Sequence, residues 1–151
     1  MSQIELIVME RSGDWAAALQ LWLKPSDVRL FETRMIDECW HRLLEQPTAL
    51  AALELTADSV RPMLAMLLRL QDELPEVRVI VMAERPLAAY GDLVREAGAI
   101  HFVVSPRSLG DVVGLVRRRI MQLKASAASQ TSDLDDPRVQ VLANLPWSDV
   151  I

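Results

Sequence analysis

The sequence predicts an α/β fold in which a five-stranded parallel sheet carries helices on both faces. Five short apolar runs alternate along the chain with segments whose apolar residues recur at helical spacing. Parallel strands need long crossover connections, and each helical segment supplies one. The run at residues 77–82 is rich in branched residues, which is typical of a strand covered on both faces.

The individual elements follow from these runs and from the residues that interrupt them. The strands are predicted at residues 4–9, 28–31, 50–55, 77–82 and 100–104. The helices are marked by apolar stripes that begin at Trp15, Ile36, Val60, Tyr90 and Leu109. We expect Ser12 or Asp14 to cap the first helix and Gly98 to end the fourth, because these residue types suit those positions.

Length and composition indicate a single folded domain. The chain has 151 residues, of which 51% are hydrophobic and 25% charged. After residue 124 the composition turns small and polar, so we predict a domain at residues 1–124 and a linker and C-terminal tail at residues 125–151. A net charge of −5 disfavours binding to nucleic acid or anionic membranes, since both require clustered cations.

Several features suggest a cytoplasmic location. No signal peptide is recognisable at residues 1–15, and no apolar run is long enough to span a bilayer. The single cysteine, Cys39, is compatible with a reducing compartment. Cys39 and His41 lie on different faces of the second helix, so we predict no metal site there and expect Cys39 to be a small core residue.

The carboxyl ends of the predicted strands identify the candidate site. In parallel α/β folds, sites form just outside these ends. Glu10 follows the first strand, Glu54 lies at the end of the third, Ala83 follows the fourth and Ser105 follows the fifth. The stretch TALAALELT at residues 48–56 is the most informative, because it places one carboxylate where such folds carry their chemistry.

Three segments resemble the receiver domain of bacterial two-component response regulators. They are LAALEL at the third strand, VIVMAE at the fourth, and EAGAIHFVVSP at residues 96–106. The resemblance extends over about residues 4–123. It implies a flavodoxin-like, CheY-like three-layer sandwich and a role in signal transduction.

The resemblance also implies where phosphoryl chemistry would lie, and most of that chemistry is missing. The family's magnesium-binding acidic pair maps to Met9 and Glu10, so one acid is lost. The phosphoacceptor aspartate maps to Glu54, the hydroxyl residue to Ala83 and the lysine to Ser105. Glutamate would misplace the nucleophilic oxygen by roughly an ångström, which costs about a hundredfold in such steps. Neither alanine nor serine supplies the charge stabilisation of the family's residues.

These substitutions predict a degenerate pseudo-receiver that acts as a stand-alone signalling protein through protein contacts and is not an enzyme. We expect no cofactor and at most weak magnesium binding by Glu10 and Glu54, since two carboxylates rarely form a dedicated site. One alternative is an atypical response regulator still phosphorylated or metal-bound at these residues. Another is a small flavodoxin-like ligand-binding protein.

The predicted partners are proteins of a signalling pathway. In receiver-like proteins the surface formed by helix four, strand five and helix five is the usual docking and dimer face, which implies Tyr90, Phe102 and Arg118 as contacts and a homodimer as one assembly. Trp147 in the tail is a further candidate anchor, because aromatic residues are common at interfaces. It could equally fold back onto its own domain.

Overall fold

The computed structural model describes residues 4–23 and 27–134, with side chains up to residue 126. Trp147 lies outside the described residues. The strands are β1 Ile4–Met9, β2 Val28–Thr33, β3 Leu50–Leu55, β4 Arg78–Ala83 and β5 His101–Val103. The α-helices are α1 Asp14–Trp22, α2 Ile36–Glu45, α3 Val60–Glu73, α4 Gly91–Glu96 and α5 Leu109–Leu134. Short 3-10 turns at Arg85–Tyr90 and Pro106–Ser108 precede α4 and α5.

The five strands form one parallel sheet in the order β2-β1-β3-β4-β5. The chain therefore starts next to the centre of the sheet, moves to one edge at β2, and then crosses back to build the other side. This arrangement confirms the predicted parallel α/β fold. Because all strands point the same way, their carboxyl ends meet at one edge, where the candidate site lies.

Side chains on the two faces of the sheet enter separate apolar layers. Ile7 and Met9 of β1 pack with α2, α3 and α4, whereas Leu6 and Val8 pack with α1 and α5. Alternate residues of a strand point to opposite faces, so one buried strand serves both layers. The predicted three-layer arrangement is thus observed, with helices on each side of the sheet.

The predicted linker differs from the structure at its beginning. Helix α5 does not end near residue 124 but continues to Leu134. Residues 125–134 contain neither glycine nor proline and are rich in alanine, which has the highest helix propensity. A small, polar composition therefore does not by itself mark a linker, because nothing in residues 125–134 stops a helix.

Cys39 is a core residue, as predicted. It is fully buried between α2 and the sheet. Burial, with a smaller contribution from the charge of Glu38, raises the pKa of its thiol from 9.0 to about 12. A thiol with this environment is unreactive, because the thiolate is the nucleophilic form.

The raised pKa of Cys39 predicts a loss of stability at alkaline pH. Above its ordinary pKa the thiol ionises in the unfolded chain but stays protonated in the folded protein, so the free energy of unfolding falls as the pH rises. We expect a loss of about 1 kcal/mol between about pH 8 and pH 10, measured by urea unfolding. Cys39→Ala removes the titrating group. The free energy of unfolding of this variant should therefore fall by about 1 kcal/mol less than that of the wild type over the same pH range. Equal slopes for both proteins would contradict the prediction.

Candidate functional site

The four predicted site positions lie at the carboxyl edge of the sheet, where Glu10 and Glu54 line a common cavity that Ala83 and Ser105 do not line. Glu10 follows β1, Glu54 lies in β3 beside Met82 of β4, and Ala83 ends β4. Ser105 follows β5 and precedes the 3-10 turn. The sequence therefore predicted the correct edge of the sheet for these residues. The hydrogen-bond partners of each side chain define its role.

Glu10 caps the first helix. Its side chain is buried (3% exposed), and its two carboxylate oxygens accept the backbone N–H groups of Trp15 at 2.9 Å and Ala16 at 2.6 Å. Ser12 accepts the N–H of Asp14 at 3.3 Å, so the first turn has acceptors for three of its free donors. An anionic acceptor at this end also interacts favourably with the positive end of the helix dipole.

A left-handed residue makes this cap geometrically feasible. Gly13, which precedes the first residue of α1, has φ +90°, a conformation that other residues rarely adopt. A Cβ atom at Gly13 would also lie 3.1 Å from Arg34. The turn through Gly13 directs the start of α1 back toward the end of β1, where Glu10 is anchored.

Glu54 is bound by Arg11, a residue that sequence reasoning did not single out. The Glu54 carboxylate accepts the backbone N–H of Arg11 at 3.1 Å, and the Arg11 guanidinium lies 3.4 Å from Asp58. Both charged side chains of the ion pair are largely exposed, so its contribution to stability is small. The sequence did contain a signal for Arg11, because this cationic residue directly follows Glu10, to which the family's acidic pair maps.

The remaining two positions lack the hydroxyl and the ammonium group that the resemblance implies after β4 and β5. Ala83 is fully buried in the layer beneath α3 and α4. Ser105 caps the 3-10 turn, because its Oγ accepts the N–H of Arg107 at 3.3 Å. Serine is a preferred residue at such a cap. Its hydroxyl oxygen is therefore used as an acceptor within the turn.

A cavity of about 430 Å³ opens at this edge between the loops that follow β1, β3 and β4. Its charged lining consists of Arg11, Asp14, Glu54, Asp58 and Glu84. Four carboxylates and one guanidinium give it a net negative charge, which opposes the entry of a phosphoryl group. Ala83 and Ser105 do not line it.

Glu10 and Glu54 are the carboxylates at the predicted magnesium position. Mg²⁺ prefers near-octahedral oxygen coordination, and the two N–H groups that Glu10 accepts hold its carboxylate at the start of α1. Glu10 and Glu54 do share a smaller cavity of about 130 Å³, together with Arg11 and Arg34. The guanidinium groups of Arg11 and Arg34 there compete with a cation for the two carboxylates. Among the residues whose side chains are described, no group of three or more histidine, cysteine or acidic residues could hold a metal.

The predicted interaction residues differ in exposure. Tyr90 is 36% exposed and Arg118 is exposed on α5, as a contact surface requires. Phe102, in contrast, is buried (9% exposed), and a Cβ atom at Gly91 would lie 3.1 Å from its ring. The prediction of Phe102 as a direct contact is therefore corrected: the missing side chain of Gly91 leaves space for the ring inside. Trp147 is outside the described residues.

Comparisons with known proteins identify the fold. No protein-family model matches the chain, and no curated protein matches it. Among solved structures, a response regulator from Thermotoga maritima matches with 19% identity and a TM-score of 0.64, over 80% of this chain and 99% of that one. A response regulator receiver domain protein from Clostridium thermocellum matches with 13% identity and a TM-score of 0.65, over 82% and 98%.

A third similar structure is the beryllofluoride-activated NtrC4 receiver domain dimer in solution. It matches with 13% identity and a TM-score of 0.65, over 78% of this chain and 97% of that one. At such identities the likeness establishes the fold alone. The chain has the CheY-like fold of response regulator receiver domains, which confirms the resemblance at the level of architecture. Within the described part of the chain, no helix is long and apolar enough to cross a membrane.

Proposed function

We propose that the protein is a receiver-like signalling module that works through protein contacts without accepting a phosphoryl group. The observation that carries the proposal is the role of Glu10. Its carboxylate, at the position implied for a magnesium ligand, is buried and holds the N-terminus of α1. A carboxylate fixed in this way stabilises the fold, and its orientation is set by α1 rather than by an ion.

The other site positions support the same function. Phosphoryl transfer depends on positioning and on cations that stabilise the developing charge. Glu54 is longer than the aspartate it replaces, and four carboxylates surround the adjoining cavity. Ala83 has no hydroxyl and Ser105 has no positive charge. The protein is accordingly a binding module rather than an enzyme, with no cofactor, and it acts in the cytoplasm.

Partner recognition is assigned to the surface of α4, β5 and α5. Tyr90 and Arg118 supply an aromatic and a cationic contact there, and both residue types are enriched at interfaces. Phe102 supports this surface from beneath. The partner is a signalling protein or a second copy of the chain. The similar NtrC4 receiver is a dimer in its solution structure.

Treatment with acetyl phosphate and magnesium tests the missing chemistry. We expect the intact mass of the protein to stay unchanged, because neither the ion nor the phosphoryl oxygens find adequate ligands. A receiver domain with a complete site, treated in parallel, verifies the reagent. A phosphoryl adduct that disappears in Glu54→Ala would contradict the proposal. It would favour the second candidate, an atypical response regulator phosphorylated at Glu54, for which the cavity shared by Glu10 and Glu54 provides the structural basis.

A further inference from the structure

A groove of about 290 Å³ lies between the end of α1, the start of β2 and the second half of α5. Two large apolar side chains line it and remain open to solvent: Trp22 is 57% exposed and Met121 is 70% exposed. Single exposed apolar residues are common, but two that share one concave surface make it a candidate for binding. This groove is remote from the carboxyl edge of the sheet, since Val28, which opens β2, also lines it.

The charges around the groove define what would fit. Arg117 and Lys124 of α5 line it, together with one carboxylate, that of Asp27. The Lys124 ammonium lies 4.0 Å from Asp27. The net charge of the described lining residues is therefore positive in an otherwise acidic protein. A suitable occupant has an aromatic or aliphatic anchor for the apolar walls and carboxylates beside it.

We propose that this groove binds the chain's own C-terminal segment, residues 140–151, with Trp147 as the anchor. The segment reads QVLANLPWSDVI and combines apolar residues with Asp149 close to the tryptophan. Residues 135–151 carry three aspartates and one arginine, so their charge is opposite to that of the groove. The anchor and the charge that the groove requires are thus present in the same short segment.

The length of the chain permits this contact. The described part of α5 reaches Leu134, roughly 15 Å beyond Lys124 at 1.5 Å per residue. The residues between Leu134 and Trp147 can span up to about 40 Å when extended, which is more than the return requires. A segment tethered at this distance has an effective concentration in the millimolar range. It therefore has an advantage over a second copy of the chain at ordinary concentrations.

Paramagnetic broadening in the full-length protein tests the contact. A nitroxide is attached at Gln122→Cys, an exposed position on α5 beside the groove, and at Arg61→Cys on α3 as the control on the opposite face. Cys39 stays unmodified because it is fully buried. We expect the amide signals of residues 140–151 to lose most of their intensity with the first label and to keep it with the second.

Two further variants identify the groove itself. Met121→Glu places a negative charge on the groove wall and, at an exposed position, should leave the fold intact. It should restore the signals of the tail, as should Trp147→Ala. Leu68→Glu, at a comparably exposed site on α3, should not. Full signal intensity in the first labelled protein would overturn the proposal. So would equal broadening in a mixture of nitroxide-labelled protein at natural isotope abundance with isotope-enriched protein that carries no nitroxide, because the occupant would then be a second molecule.

Discussion

Glu10→Ala should lower the free energy of unfolding by about 2 kcal/mol. The substitution removes both acceptors from the buried N–H groups of Trp15 and Ala16. Losing a cap costs roughly 0.5–2 kcal/mol, and a buried donor left without a partner costs about 1–3 kcal/mol. The loss is measured by urea unfolding followed by circular dichroism, with the m-value checked for constancy.

Two comparisons separate the capping role of Glu10 from a role in ion binding. Glu54→Ala removes the other carboxylate of the candidate ion site, but it loses only one hydrogen bond at a partly buried position, so the effect should stay below about 1 kcal/mol. Glu10→Gln keeps one acceptor but turns its amide group toward a second donor, so its stability should lie between those of the wild type and Glu10→Ala. A smaller loss in Glu10→Ala than in Glu54→Ala would show that the cap is unimportant.

Phe102→Ala should destabilise the protein by about 3 kcal/mol. The ring is buried in the layer formed with α2, α3 and α4, and it occupies the space next to Gly91. Removing a buried phenylalanine side chain costs its transfer free energy together with that of the cavity left behind. Thermal or urea unfolding measures the loss directly.

The matched control for Phe102 is Tyr90→Ala on the same side of the molecule. Tyr90 is 36% exposed, so its removal should change stability by only about 0.5 kcal/mol. The order of the two effects therefore reports which aromatic residue is structural. Equal, small effects would mean that Phe102 is available at the surface, and its original assignment as a contact would be restored. Binding experiments on this surface should accordingly use Tyr90 and Arg118.

The sequence predicted the sheet well because the relevant signal is local. Each strand is a short apolar run, and each crossover carries a helical stripe, so the parallel architecture and the common edge of Glu10, Glu54 and Ser105 followed from order alone. The start of β3 and its end were both correct. The end of α5 differs from the prediction, because a polar segment without helix-breaking residues does not end a helix.

The partners of the side chains could not be predicted in the same way. The acceptor role of Glu10 depends on the direction in which α1 leaves the turn at Gly13, which is a property of three dimensions. The ion pair between Glu5, which is buried, and Arg42 joins residues on β1 and α2 that are far apart in sequence. The burial of Phe102 on β5 likewise depends on Gly91 of α4, whose missing side chain leaves space for the ring.

An amide NMR titration of the full-length protein with magnesium and beryllofluoride tests the central claim most directly, because beryllofluoride imitates a phosphoryl group. The structure predicts no saturable changes in amide chemical shift at Glu10, Arg11, Glu54 or Ser105, because the Glu10 carboxylate caps α1 and Ser105 caps a turn. Saturable shifts at these residues that require both reagents would contradict it and would show that the phosphoryl switch is intact.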